Sequence, residues 1–301
     1  MNPRATAALM DRDKKTLERI GVPAAAKVGQ TLSQQITAAY ADRITPGQVS
    51  DMIRHYMNRM QPILLDGMVA GHLSGRARTI KLATAGMAAN KKALGAYDDA
   101  LKYFQKRMRL TSEDVEKLKK LYNQKSLEVV KTSTAVVQKY AQKAIEESIA
   151  NGEHVKDAMA RLNAALESAG VNYPSPFLIE SLVKSNIGAA YSAGKWFALQ
   201  DPAIQEEQAG FLYVTTGDNR VRDSHQSWDY FTGPKDHPFW QTHYPLCGWG
   251  CRCTAIATFT EAECNIPETY EAADFGDNPV TGMPWGTPPP PEMRDGLNEA
   301  A

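Results

Sequence analysis

The side chains best equipped for chemistry are gathered toward the C-terminal end of the chain. All four cysteines, Cys247, Cys251, Cys253 and Cys264, fall within 18 residues, and His225, His237 and His243 lie just before them. Thiolates and imidazoles are the donors a zinc ion prefers, and a closed tetrahedral site takes four of them. A disulfide framework would instead spread its cysteines to tie distant segments together. Cys251 and Cys253 flank Arg252 and can reach one ion if the chain turns there, a turn that Gly248 and Gly250 permit. His225 and His243 are the first choices for the two remaining ligands, with Cys247 in reserve. Taken singly, each histidine reads as a hydrogen-bonded core residue and each thiol as buried and reduced. Taken as a set, His225, His243, Cys251 and Cys253 suit a structural zinc.

A catalytic zinc would need an open coordination position and a nearby general base. Asp223 and Asp229 are the acids placed to serve, but no Glu-containing zinc-hydrolase motif accompanies them. A closed, structural site is therefore the expectation. The rival is a zinc-dependent nuclease or hydrolase acting on DNA, with His225 or Asp223 as its base.

These residues must be positioned by short elements. Gly210 to Thr216 and Arg252 to Phe259 are rich in β-branched and aromatic residues and bounded by turns, which predicts two strands. Four of the five tryptophans, Trp228, Trp240, Trp249 and Trp285, follow residue 200, and bulky rings can form the core of a small module. From Thr31 to Gln200 the chain reads mostly as helix. Thr111 can cap a helix with Asp114 at its third position and Leu110 as a staple, and apolar residues then recur near the 3.6-residue period as far as Asn151-Gly152. Such a helix would be on the order of 60 Å long, which suits an extended arm or a helical hairpin. Gly67, Gly71 and Gly75 recur at helical spacing and predict close helix packing. Further helices are expected from His154 to Glu167 and from Phe177 to Leu199. The fold class is predominantly α with a small C-terminal α+β module. The domains run 1–152 (helical arm or hairpin), 153–276 (the module and its preceding helices) and 277–301, a disordered Pro-rich tail.

The chain has 34 basic and 34 acidic side chains in 301 residues, a formal net charge of zero. Residues 1–200 hold 29 basic and 18 acidic groups, a net of +11, which leaves −11 for the remainder. A basic helical half could contact DNA phosphates without regard to sequence, although a solvated helix surface has the same composition. The best apolar run, Pro62 to Leu73, carries Asp66 and His72 and falls short of the ~20 residues a membrane span requires. The N-terminus, with Asp11 and Asp13 among its early charges, does not resemble a secretion signal.

Asp218 to His225, the Asp236-His237-Pro238-Phe239-Trp240 box, and Tyr244-Pro245 leading to Gly248-Trp249-Gly250-Cys251-Arg252-Cys253 resemble the signature of the phage head morphogenesis family, the phage Mu F-like minor head proteins. The resemblance covers roughly Glu180 to Ala257, with Glu180, Asn186, Tyr191 and Gly194 similar to the helix that precedes the signature. Where the family has a polar residue such as Asn before Gly-Trp-Gly, this chain has Cys247, so the resemblance does not support Cys247 as a ligand. It favours His225, whose equivalent in relatives is often cysteine. The resemblance implies a minor capsid protein rather than an enzyme. It would act in procapsid assembly near the portal and in DNA packaging or ejection. Its partners would be the portal protein and major capsid or scaffold proteins, with non-specific DNA contact through the basic region and no membrane. Its place would be the virion head, after assembly in the host cytoplasm.

Overall fold

A computed structural model describes residues 2–40, 45–90, 111–151, 155–168, 177–248, 250–274 and 276–278. The helices are α1 (Pro3–Tyr40), α2 (Pro46–Asn58), α3 (Met60–Asn90), α4 (Ser112–Ala150), α5 (Val155–Ser168), α6 (Phe177–Leu199) and the short α7 (Pro202–Glu207). Strand β1 (Gly210–Val214), α8 (Asp223–Ser227), β2 (Thr232–Pro234), α9 (Phe239–His243) and β3 (Thr254–Thr258) follow. The protein is thus predominantly helical with a small α+β region near its C-terminal end. No helix among the described residues is long and apolar enough to cross a membrane.

Local sequence accounts for where several elements begin. Thr111 and Asp114 form a reciprocal cap on α4: the Asp114 carboxylate accepts from the Thr111 backbone N–H at 2.7 Å, and the Thr111 hydroxyl accepts from the Asp114 N–H at 3.2 Å. Thr45 and Gln48 make the same arrangement at the start of α2. Pro62 is tolerated in the first turn of α3, where its missing N–H would have no helical partner. The expected Leu110 staple, and the Pro-rich tail with its expected disorder beyond Asn278, lie outside the described residues.

The chain divides into two compact units that do not follow chain order: residues 1–17, 68–120 and 187–301 form one, and 18–67 with 121–186 form the other. In the second, all-helical unit, Leu32, Ile36, Ile53, Met60, Tyr122, Val137, Leu162 and Leu166 are buried. Polar ties supplement this core. The Gln61 side-chain amide donates to Asn123 and Ser126, and Gln138 donates to the Ser50 carbonyl.

The first unit contains the sheet. Its order is β2-β1-β3 with both pairings antiparallel, Leu212 of β1 facing Thr232 on one side and Ile256 on the other. Strand β2 was not among the expected strands; three residues containing Gly233 and Pro234 carry too little β pattern to be read locally. Phe211 and Tyr213 alternate onto one face of β1 and pack with Trp196, Trp228, Phe239, Trp240 and Tyr244. Trp228 and Trp240 are the buried rings expected of this module; Trp249 and Trp285 lie outside the described residues.

Helix α6 reaches this sheet and also crosses α3. The crossing is backbone on backbone: a Cβ on Gly75 would lie 2.0 Å from the Tyr191 carbonyl oxygen, and one on Gly194 would lie 2.0 Å from that of His72. Gly71 faces the Ile187 carbonyl at 2.7 Å in the same way. The glycine spacing of α3 is therefore a close-packing device, as the sequence predicts for Gly71 and Gly75. One turn on, the buried Lys195 ties α6 to β3 by donating to the Thr254 hydroxyl and, at 2.9 Å, to the Ala255 carbonyl.

Two predictions concern this frame. Gly75→Ala should lower the unfolding free energy by about 1–3 kcal/mol, because the obstructing atoms are backbone and cannot rotate away. Gly47→Ala, whose added methyl would meet only the Thr45 hydroxyl at 3.9 Å, should be neutral or slightly stabilising. Thermal melts of the two variants test the contrast. Burial and the nearby Lys14 ammonium push Lys195 down to about 7 from the ordinary 10.5, so across that window the unfolded chain binds the extra proton. Stability should therefore rise with pH between these values, by up to about 1.4 kcal/mol per pH unit. Denaturant titrations of the native chain and Lys195→Met check this, and identical pH slopes would contradict it.

Candidate metal centre

Short elements at the edge of the sheet converge on one buried cluster. Helix α8 presents His225, whose ring stacks on Trp228 with centroids 4.9 Å apart. Downstream, the chain leaves α9, passes Cys247 and turns at 248–251, where the Cys251 N–H donates to the Gly248 carbonyl at 3.1 Å. Gly250 has a φ of 66°, a left-handed conformation that glycine adopts without strain. Gly248 serves differently: a Cβ there would lie 2.5 Å from a carboxylate oxygen of Asp274. The turn places Cys251 and Cys253 on the same side just before β3 begins.

The donor atoms of His225, Cys251 and Cys253 all lie within 4.8 Å of one another, and all three residues are buried. The Cys253 sulfur is 3.6 Å from His225 Nδ1. Bond lengths of about 2.3 Å for zinc–sulfur and 2.0–2.1 Å for zinc–nitrogen give tetrahedral edges of about 3.8 Å between sulfurs and about 3.6 Å between sulfur and nitrogen. The Cys253–His225 edge matches the sulfur–nitrogen value. Cys251 is its hub, with side-chain hydrogen bonds to Cys247, Cys253 and His225 that hold its thiol well below the ordinary range. Hydrogen bonding to Cys251, together with burial, pushes Cys247 and Cys253 up instead.

His243 sits elsewhere. Its Nδ1 pairs with the Thr242 hydroxyl at 2.8 Å and its Nε2 with the Glu271 carbonyl at 2.8 Å. The ring stacks on Phe239 at 4.4 Å and meets Trp228 and Tyr270 edge-on. With both nitrogens engaged and burial lowering its proton affinity, His243 is a neutral core histidine in this structure. Of the four residues expected as ligands, the fold brings together His225, Cys251 and Cys253 and leaves His243 apart. Cys247 falls outside the 4.8 Å group, but it is buried and its sulfur lies 3.6 Å from the Tyr213 hydroxyl. The Cys264 thiol is exposed.

The acids considered as bases have other settings. Asp229 accepts from the Thr215 N–H at 2.9 Å and pairs with Arg4, and Asp223 is an exposed residue in the first turn of α8. The Asp218 carboxylate holds Arg252 through two hydrogen bonds of 2.6 Å, which depress its proton affinity and fix the residue between the two cysteines. The Asp218–Arg252 pair therefore braces the turn. The Asn186 amide donates to the Leu182 carbonyl, and the Tyr191 hydroxyl donates to Asp13, which also holds Arg78 through two hydrogen bonds of 2.7 Å.

Contacts from the far end of the chain complete the surroundings. The Arg4 guanidinium donates to the Thr215 carbonyl and hydroxyl and to the Asp229 carboxylate, and lies 5.0 Å over the Tyr230 ring. Thr254 donates to the Met10 sulfur. No local pattern signals pairings across more than 200 residues. Arg4→Ala should cost roughly 1–3 kcal/mol, because it leaves the Asp229 carboxylate, with only 7% of its side chain exposed, short of its charged partner. Urea unfolding followed by tryptophan fluorescence should show this loss, and an unchanged midpoint would contradict it.

Residues 139–256 match the family described as Phage Mu protein F like protein. The chain is 30% identical over 141 residues to the "Mu-like prophage FluMu F protein" of Haemophilus influenzae, covering 43% of this chain and 34% of that protein. It is 25% identical over 167 residues to the "Putative capsid assembly protein F" of Escherichia phage Mu, covering 48% and 38%. The chain thus spans little more than a third of the length of either relative. No solved structure matches it.

Proposed function

Residues 139–256 being a Mu F-like segment, we propose that this chain is a minor head protein of a tailed phage that acts in capsid assembly. The match carries the reading: it runs from within α4 to β3 and includes His225, Cys247, Cys251 and Cys253, so it covers the cluster as well as the helices leading to it. The name of the phage Mu relative points the same way. Assembly rather than turnover also suits the chemistry of the cluster. Its donors are buried, and the two acids offered as bases are an ion-paired Asp229 and an exposed Asp223.

In this reading the protein works on the procapsid near the portal, and its partners are the portal protein and major capsid or scaffold proteins. The long helices supply extended surfaces for those contacts. Their net charge of +11 over residues 1–200 would also allow phosphate contacts during packaging or ejection.

Co-expression with the portal and major capsid proteins of the same virus tests the assembly role. The chain should sediment with head-sized particles and cross-link to the portal; complete recovery in the unassembled fraction would reject the role. If DNA is touched, duplex affinity should fall steeply with salt, whereas a flat salt dependence would remove DNA from the list of partners.

A further inference from the structure

We propose that the protein holds one structural zinc ion through His225 Nδ1 and the thiolates of Cys247, Cys251 and Cys253, with Cys247 in the place that sequence spacing assigns to His243. This goes beyond the assembly reading and does not rest on it. Three observations select these four groups. The first is the convergence of His225, Cys251 and Cys253 to within 4.8 Å, with the sulfur–nitrogen edge of 3.6 Å that a tetrahedral zinc requires. The second is the engagement of both His243 nitrogens, which leaves that ring no lone pair to offer without breaking a buried hydrogen bond. The third is the position of Cys247, buried on the same turn as Cys251 and Cys253 with its sulfur 3.6 Å from the Tyr213 hydroxyl.

Three ligands then come from the seven residues 247–253 and the fourth from α8, so the ion fastens the turn to the helix. Soft thiolates select zinc over magnesium or calcium, and four protein ligands leave no position for a substrate water. Three thiolates around a divalent ion carry a net charge of −1, which a buried site must offset. The Tyr213 hydroxyl, 3.6 Å from the Cys247 sulfur, can donate to that thiolate. Lys14 of α1 is buried and close enough to act on the Cys253 charge, so a cation from the first turns of the chain supplies the counter-charge.

The test uses the full chain purified without chelator under reducing conditions. Elemental analysis should find about one zinc per chain; no zinc, or a different metal in its place, would overturn the proposal. X-ray absorption at the zinc edge should give a first shell of three sulfurs and one nitrogen. A shell of two sulfurs and two nitrogens would overturn the assignment of Cys247, and this readout requires no variant to fold. Cys247→Ser should weaken zinc binding at least about tenfold in competition with a chromophoric chelator, while His243→Gln should leave it within about twofold. The reverse order would overturn the proposed ligand set.

Discussion

The arrangement of the sheet-bearing unit depends on a single close approach, the backbone contact of α3 and α6 at Gly75, Gly194 and their carbonyl partners. Any side chain there would force the helices apart, because the opposing atoms belong to main chain that is held by its own helical hydrogen bonds. With the axes this close, α6 delivers Lys195 to the Thr254 and Ala255 end of β3. That end of β3 directly follows Cys253. A steric constraint between two helices is thus passed, through one buried amine, to the position of a sulfur. Such dependence is common in close-packed interiors, where little slack exists to absorb a displaced element.

The first turns of α1 belong to the same unit. Arg4, Met10, Asp13 and Lys14 meet Asp229, Thr254, Tyr191 and the surroundings of Cys253. The family match begins only at residue 139 and therefore omits a helix that supplies charge partners to the matched region. Burying Asp229 or a thiolate cluster costs free energy unless an opposite charge is provided, and here the cations come from the opposite end of the chain. The head-to-tail pairing makes the first turns of α1 part of the environment of the matched segment.

The cluster and the signature around it are two aspects of one local design. Asp218 clamps Arg252, Gly250 supplies the left-handed turn, and Gly248 gives space to Asp274. Each of these residues sits in the recognised signature or against it, and each acts on the shape of the 247–253 turn. Their common effect is to aim soft donors inward, beside aromatic rings that exclude water. In that setting the proposed zinc ion would contribute cohesion that a three-stranded sheet with so little core of its own would otherwise lack.

Properties set by neighbours in sequence were legible without a structure. The Thr111–Asp114 cap, the long period-3.6 run of α4, the strands at 210 and 254, and the glycine turn before Cys251 all follow from local patterns of charge, branching and backbone freedom. The clustering of soft donors was legible for the same reason, since cysteine spacing is visible along the chain. The choice among those donors was not. His243 and Cys247 are four residues apart, and spacing treats them alike. Only the packed fold shows that Thr242 and Glu271 occupy both nitrogens of His243 while Cys247 is buried beside the Tyr213 hydroxyl. Likewise, no pattern around Arg4 points to Asp229, because that pairing exists only once the chain has folded. The sequence by itself determined the helices near 112–150, 155–168 and 177–199, the strands at 210 and 254 and the pool of donor groups. Tertiary structure decided which donors meet, because hydrogen-bond partners and burial depend on long-range neighbours rather than on spacing.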